Sequence, residues 1–218
     1  MGVITALEVQ KRNHERVNVF LDGEYSFSIA LIEAARLRKG QTLTEAEITA
    51  LHGEDAVHKA VDSAVRLLTY RPRSIAEIRR NLIEKSMDEP VIDAALDRLS
   101  ALGYLDDEAF ARFWVENRTA FKPLGPTALR YELRQKGVAE AIIQEVLENQ
   151  DVTEAAQKAA AGHIRRLRGM DQRTFRQKLG SFLQRRGFSY EVIGGVVSDL
   201  IETLEAEAYF ADQTTDEM

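Results

Sequence analysis

The first thirty residues alternate apolar and polar side chains, whereas most of the remaining chain repeats apolar residues at helical spacing. In "VNVFL" the residues Val17, Val19 and Leu21 fall on one face, which is the period of a strand. The next pair, Asp22-Gly23, has the composition of a type I′ turn, in which both central residues have positive φ. The pattern predicts a small antiparallel sheet of three strands, which needs a helix packed against it to be stable.

Beyond the predicted sheet, start and stop signals divide the chain into helices. Thr44 and Glu47 have the spacing of a capping box and predict the start of a helix that ends at Gly53. A second apolar stripe predicts another helix over residues 57–70, which Pro72 stops.

Three later segments can be written in one register, at offsets of 51 and 50 residues. In each, a basic residue follows the apolar stripe, and glycine comes next in two of them, which predicts a helix ending on a left-handed residue. The alternative is chance similarity among amphipathic helices, but the aligned break favours a true repeat. The matched positions are Ile78, Leu129 and Leu179; Leu82, Leu133 and Leu183; and Lys85-Ser86-Met87, Lys136-Gly137-Val138 and Arg186-Gly187-Phe188.

A helical segment precedes each of these units, so each repeat is predicted to contain three helices. The predicted fold is mainly α, with tandem three-helix repeats forming an elongated curved array and a small N-terminal antiparallel β-sheet. The predicted segments are a three-stranded hairpin region, connecting helices, three repeats and an acidic tail, at residues 1–30, 31–56, 57–105, 106–150, 151–205 and 206–218.

Three acidic residues at 106–108 stand directly before an aromatic run and raise the question of catalysis. Acid–base chemistry needs a partner across a cleft and a shifted pKa, and adjacent residues at a helix start point in different directions. We therefore expect Asp106 to cap a helix and its two neighbours to interact favourably with the helix dipole. The helical spacing of the aromatic residues predicts a core role for Phe110, Phe113 and Trp114.

Little else in the sequence points to chemistry. The chain has no cysteine, which excludes disulfides and thiolate metal sites. Its histidines lack metal-ligand spacing, and no phosphate-binding loop or nucleophile motif occurs. We expect a non-enzymatic protein without metal or cofactor. No apolar run approaches the roughly 18 residues of a membrane span, and no signal peptide is evident, so a cytoplasmic location is expected.

Charge is uneven along the chain. The net charge of −6 argues against a protein that coats nucleic acid through bulk charge. Nevertheless, residues 158–186 hold nine basic side chains and one acid, Asp171, whereas residues 187–218 hold eight acids and no lysine or arginine. Shielding of the basic surface and improved solubility both remain open as roles for the acidic end.

A basic face is predicted to bind a macromolecule. Arg130 and Arg134 are four residues apart and share one side of a helix, offset from the leucine stripe. For any single arginine, a solvated position paired with a nearby acid is the simpler interpretation, but the cluster favours binding. The predicted binding residues are Arg118, Lys122, Arg130, Arg134, Lys136, Arg165, Arg166, Arg176, Arg185 and Arg186.

Two motifs carry a resemblance. The segment at 102–138, with "LGYLDDEAFARFWVENR" and "KPLGPTALRYELRQKGV", resembles the RecX family, bacterial regulators of the recombinase RecA. The resemblance covers residues 57–205, and "FLQRRGF" at 182–188 is similar to the last repeat of the family. The stretch "RVNVFLDGEYSFSI" resembles an N-terminal extension found in a subset of members.

The resemblance implies a function by binding. Family members are tandem three-helix modules, not enzymes; they bind RecA, lodge in the groove of its filament on single-stranded DNA, and damp ATP hydrolysis and strand exchange. Gly180 stands where the second repeat has Arg130, so the basic face differs between repeats. The positions that match the family motifs are Arg118, Lys122, Arg130 and Lys136, and, at the last break, Arg185, Arg186 and Gly187.

The predicted function is negative regulation of homologous recombination, with RecA and its nucleoprotein filament as partners. Single-stranded DNA is a further candidate partner, and no membrane or small-molecule substrate is expected. A basic face that spans neighbouring filament subunits would alter turnover by favouring one filament state. Two alternatives stay open: a free-standing nucleic-acid-binding helical repeat protein, and a helical scaffold for another protein.

Overall fold

The structure is a computed structural model that describes residues 1–205, 209 and 210. Apart from Tyr209 and Phe210, which pack against the core of the third repeat, the predicted acidic tail at 206–218 lies outside the described residues. The chain divides into two compact units, Met1–Leu105 and Asp106–Met218. Most of the described chain is helical, as predicted.

The first unit begins with an antiparallel sheet in the order β3-β2-β1-β4. Asp22 and Gly23 have φ values of 51° and 91°, which confirms the predicted turn between β2 and β3. The prediction of three strands was wrong by one edge strand, because β4 contains only two residues and is too short to show an alternating pattern. The strands are β1 (Gly2–Val9), β2 (Arg16–Leu21), β3 (Glu24–Ala30) and β4 (Thr42–Leu43).

A short helix, α1 (Leu31–Ala34), and a long helix, α2 (Glu45–Leu68), follow the sheet. Ile48 and Leu51 of α2 pack against the buried face of the sheet, so the predicted helix support is confirmed. Asp55 of α2, which is 3% exposed, accepts hydrogen bonds from both terminal nitrogens of Arg16 at 2.9 and 3.0 Å. This bidentate pair ties the sheet to the helix.

Helix α2 starts where the sequence predicts and ends later. The backbone N–H of Glu47 donates to Thr44 Oγ1 at 3.2 Å, and the N–H of Thr44 donates to Glu47 Oε2 at 2.8 Å, which confirms the capping box. The predicted end at Gly53 is wrong, since the helix runs on to Leu68. Gly53 is exposed, and a glycine inside a helix costs only about 1 kcal/mol. Packing on both sides of it outweighs that cost.

Three-helix modules follow in both units. The first unit completes its module with α3 (Ile75–Glu84) and α4 (Glu89–Ala101), which pack on the second half of α2. In the second unit, α8 ends in a 3₁₀ turn at Arg165–Leu167. The helices of that unit are α5 (Asp107–Phe121), α6 (Pro126–Gln135), α7 (Glu140–Glu148), α8 (Val152–Ile164), α9 (Gln172–Arg185) and α10 (Tyr190–Glu205).

The repeat predicted from the sequence is present in the structure. All six matched apolar positions are completely buried, at 0% exposure. The basic residue of each break is the C-cap of the middle helix of its module, namely Lys85, Lys136 and Arg186. The residue after each cap has a left-handed φ, at 58° for Ser86, 79° for Gly137 and 85° for Gly187. A shared helix ending excludes chance similarity between unrelated helices.

Candidate binding surface

Asp106 is a helix cap. Its Oδ1 accepts hydrogen bonds from the backbone N–H groups of Glu108 at 2.8 Å and Ala109 at 3.0 Å. The carboxylate is thus used in starting α5, as predicted. The described residues contain no group of three or more His, Asp or Glu side chains that could hold a metal ion. No helix within the described ranges is both long and apolar enough to cross a membrane.

The aromatic residues of α5 are not all core. Phe110 is 2% exposed and belongs to the core of the second repeat. Phe113 is 38% exposed, so the prediction that it fills the core was wrong. Trp114 is half-buried and donates its indole N–H to Glu132 Oε2 at 2.8 Å, so it lies at the edge of the core rather than inside it. Helical spacing gave the right face of α5 but not its limits.

Two predicted binding residues surround this tryptophan. The guanidinium carbon of Arg118 lies 4.5 Å from the Trp114 ring centroid, and the Lys136 ammonium lies 4.9 Å from it. Arg118 Nε also donates to Glu132 Oε2 at 2.7 Å. Glu132 therefore lies between an indole N–H and a guanidinium, and the second repeat neutralises part of its own positive charge.

Arg130 and Arg134 share a helix face, as predicted, and both meet one acid. Their Nε atoms lie 3.3 and 2.7 Å from the carboxylate of Glu140 on α7. The hydrogen bond from Arg134 holds the pKa of Glu140 below its usual value. These two arginines correspond to the simpler interpretation of an exposed, paired helix face.

The two motifs that resemble the RecX family contact each other. Lys122 is exposed at the end of α5 and opens the loop of the first motif. Within that loop, the N–H of Gly125 donates to the carbonyl of Arg186 at 2.8 Å, and Arg186 Nη1 donates to the carbonyl of Pro123 at 3.0 Å. A Cβ on Gly125 would lie 2.3 Å from the carbonyl oxygen of Gly187. Glycine is required here, because the backbones of the second and third repeats meet.

The basic residues of the third repeat do not form one continuous ridge. Arg176 and Arg185 are exposed and nine residues apart on α9, which places them on opposite sides of that helix. Arg165 and Arg166 are exposed on the 3₁₀ turn. Arg186 is only partly exposed, and its burial lowers the pKa of its guanidinium. Of the predicted residues in this repeat, Arg166 and Arg186 line one common cleft.

We call this feature the basic cleft. It has a volume of about 580 Å³ and lies between the loop after α5 and the helices α8 and α9. The His163 ring stacks on Phe182, with ring centroids 3.9 Å apart and planes 1° from parallel. The residues that define the cleft here are Phe121, Lys158, His163, Arg166, Phe182 and Arg186.

Electrostatics in the basic cleft favour an anion. Burial lowers the pKa of His163, and the nearby charges of Arg166, Arg185 and Arg186 lower it further.

Sequence reasoning did not select Phe121, His163 or Phe182 as site residues. For Phe121 and Phe182 the available signal was their position in the two motifs. His163 lies in neither motif, and its stacking joins residues 19 positions apart on different helices.

Comparison with known proteins assigns the family. Family models match along most of the chain: the RecX N-terminal domain at residues 2–44 and the first, second and third RecX three-helix domains at 60–99, 106–147 and 149–197. The chain belongs to the RecX family. The matches of the second and third RecX domains include Gly125 and the residues Arg186 and Gly187 that it meets.

Relatives in the RecX family match over nearly the whole chain. Regulatory protein RecX of Bacillus pumilus is 34% identical over 212 residues, which are 95% of this chain and 81% of that protein. Regulatory protein RecX of Clostridium botulinum is 34% identical over 208 residues, or 92% of this chain and 97% of the relative. These relatives are described as regulatory proteins, which agrees with the function class expected from the sequence.

Solved RecX structures share this fold. A crystal structure of regulatory protein RecX has a TM-score of 0.76 and 31% identity, covering 90% of this chain and 98% of the other. RecX from Lactobacillus salivarius has a TM-score of 0.62 at 23% identity, covering 68% of this chain and 99% of that protein, and shows similarity of fold. The tandem three-helix arrangement predicted from the repeat is therefore confirmed.

Proposed function

We propose that this RecX-family protein is a negative regulator of homologous recombination that binds RecA and its filament on single-stranded DNA. It lowers ATP hydrolysis and strand exchange without doing chemistry itself, and it acts in the cytoplasm. The observation that carries the proposal is the match of four RecX domain models along the chain. The presence of exposed cations in the second unit supports binding to a polyanionic assembly.

Of the ten proposed binding residues, Lys136 and Arg186 lie over aromatic rings, and the other eight divide into two groups by their partners. Arg118, Arg130 and Arg134 are held by carboxylates of the second repeat and orient its surface. Five others are exposed and make no ion pair with a carboxylate among the described residues. We assign direct contact with the filament first to this second group: Lys122, Arg165, Arg166, Arg176 and Arg185.

Regulation by binding requires a difference in affinity. A protein that bound the active and inactive filament equally would shift neither state. The proposed mechanism is that exposed cations contact neighbouring subunits in one filament state more closely than in the other.

The six predicted segments remain the proposed domain organisation, with the three repeats as the binding modules.

A free-standing nucleic-acid binder is the second candidate. The observation that favours it is Phe121, which is 83% exposed beside the basic cleft, because exposed aromatic rings next to cations bind single-stranded nucleic acid by stacking.

Binding measured across salt concentrations separates the two candidates. Fluorescence anisotropy of labelled single-stranded DNA is recorded with this protein alone and with DNA already coated by RecA. The RecA hypothesis predicts tighter binding to the coated DNA, and a weaker salt dependence than bulk phosphate contact would give. Equal or tighter binding to naked DNA would contradict it and favour the second candidate.

A further inference from the structure

The second repeat contains an acid that its neighbours lack at the same position. Glu132 directly precedes the matched Leu133 of α6. In the same register, the first repeat has Asn81 before Leu82, and the third has Phe182 before Leu183. All three positions lie on the middle helix of their module, one turn before its basic C-cap. The three modules therefore differ at one equivalent position beside equivalent cations.

In the second repeat, the carboxylate at this position is bound by neighbouring side chains. The Glu132 carboxylate accepts hydrogen bonds from the Trp114 indole and from Arg118, at 2.8 and 2.7 Å. Lys136, the C-cap cation, lies over the same indole ring. The module thus binds a carboxylate between an aromatic ring of its first helix and nearby cations. Such charge-assisted hydrogen bonds are stronger than those between neutral groups.

The third repeat has the aromatic ring and the cations without the acid. Phe182 replaces the glutamate and stacks on His163, and the Arg186 guanidinium lies 4.8 Å from the Phe182 ring centroid. Arg166 lines the same basic cleft and is exposed. Among the described residues, neither arginine pairs with a carboxylate, and none of the residues that line the cleft is acidic.

The corresponding cleft of the first repeat is already balanced by acids. It has a volume of about 350 Å³ and is lined by Arg66 and the C-cap Lys85, but also by Asp62. Lys59, which lines it too, pairs with Asp55 at 2.8 Å.

In the basic cleft Lys158 is likewise paired, with Glu154 at 3.0 Å. The difference between the two clefts is therefore that an acid lines the first, whereas the third is lined by Arg166 and Arg186 and, among the described residues, by no acidic side chain.

We propose that the basic cleft binds carboxylate side chains of an acidic protein segment, and, resting on the proposed function, that this segment belongs to RecA. The volume of about 580 Å³ holds several side chains. Ala159 and Gly162 line the cleft and leave room for a peptide backbone, while the exposed ring of Phe121 offers an apolar contact at the rim. Because the equivalent position of the second repeat carries the carboxylate of Glu132, we expect the basic cleft to bind carboxylates rather than phosphates.

The probe is hexaglutamate, added to the full-length protein while the His163 imidazole resonance is followed by NMR. His163 reports on the cleft because it stacks on Phe182 within it. Arg166→Glu reverses an exposed charge of the cleft and is expected to weaken binding roughly tenfold or more, the value of one charge-assisted hydrogen bond. Lys178→Glu is the matched control, since Lys178 is an exposed cation of α9 that does not line the cleft.

A second variant tests the repeat comparison without removing a cation. Phe182→Glu introduces the acid of the second repeat into the third and is expected to abolish the hexaglutamate response. Gln184→Glu adds the same charge to an exposed position of α9 outside the cleft and is expected to leave the response within twofold of wild type. Circular dichroism melts confirm that each variant is folded. If Phe182→Glu does not fold, Arg166→Glu alone tests the proposal.

Each outcome decides the matter. No shift of His163 with hexaglutamate, or equal loss in Arg166→Glu and Lys178→Glu, overturns the cleft as a carboxylate site. A response to oligothymidylate without one to hexaglutamate overturns it in favour of phosphate. Binding to DNA-free RecA is then compared between wild type and Arg166→Glu. Equal binding overturns the assignment of the segment to RecA, whereas absence of binding by wild type contradicts the proposed function and leaves the hexaglutamate result intact.

Discussion

At the scale of single residues, the sequence identified candidates but not their partners. Asp106 was predictable as a cap because capping depends on residues two and three positions away. The pairing of Arg118 with Glu132 joins α5 to α6, and that of Arg134 with Glu140 joins α6 to α7. Such pairs depend on how helices pack, so the sequence alone could not separate paired arginines from exposed ones.

Trp114 and Phe113 offer a direct comparison of two aromatic neighbours. Trp114→Ala is expected to lower the free energy of unfolding by about 2 kcal/mol, because the half-buried indole loses packing and its hydrogen bond to Glu132. Phe113→Ala is expected to cost less than about 1 kcal/mol, since that ring is largely exposed. Urea unfolding measures both; equal losses would contradict the assigned burial.

His163 gives a prediction for pH. Its pKa lies below the ordinary value of 6.5 because of burial and the nearby arginines. The unfolded chain therefore takes up this proton at higher pH than the folded chain, so this histidine's contribution to stability falls as pH drops through 6.5. Arg166→Ala is expected to raise the pKa of His163 in an NMR titration. An unchanged pKa in Arg166→Ala, or an equal rise in Lys178→Ala, would refute this electrostatic assignment.

At the scale of helices and strands, local signals worked where a residue type has a special backbone role. The Asp22-Gly23 turn, the Thr44 capping box and the repeated helix ending were all predictable for that reason. The prediction that α2 ends at Gly53 was wrong because a glycine marks a helix end only when the surrounding packing allows the helix to end there. Strand β4 was missed because two residues carry no pattern.

A substitution at the helix ending of the first repeat is expected to stabilise the protein. Ser86 has a φ of 58°, whereas its counterparts in the other repeats are glycines. Ser86→Gly is expected to raise the free energy of unfolding by up to about 1 kcal/mol, because glycine adopts this conformation without strain. Gly137→Ala, at the same position of the second repeat, is expected to lower it by about the same amount. Thermal unfolding that moved both variants in one direction would be inconsistent with a shared ending.

The contact between the second and third repeats depends on Gly125. Gly125→Ala places a methyl group 2.3 Å from the Gly187 carbonyl oxygen, so the two backbones must separate. We expect a loss of at least about 2 kcal/mol in urea unfolding. Gly194→Ala is the control, since that helical glycine of α10 has open space around its Cβ position and its substitution is expected to stabilise slightly. Similar behaviour of the two variants would disprove the close approach.

At the scale of the whole molecule, an acidic chain carries a local basic site. The net charge of −6 would suit a protein without polyanionic partners, yet the third repeat gathers cations around a cleft that no acidic side chain of the described residues lines. The family was recognisable because its motifs are continuous in sequence. The basic cleft was not recognisable from the sequence, because it combines residues from a loop and two helices.

The central claim is that this protein regulates RecA by binding. The most direct test is the steady-state ATPase rate of RecA on single-stranded DNA, measured at increasing amounts of the full-length protein. The account predicts a saturable fall in rate, which is weakened when Lys122, Arg165, Arg166, Arg176 and Arg185 are all replaced by glutamate. A rate that stays constant at every concentration of the wild-type protein would contradict the claim.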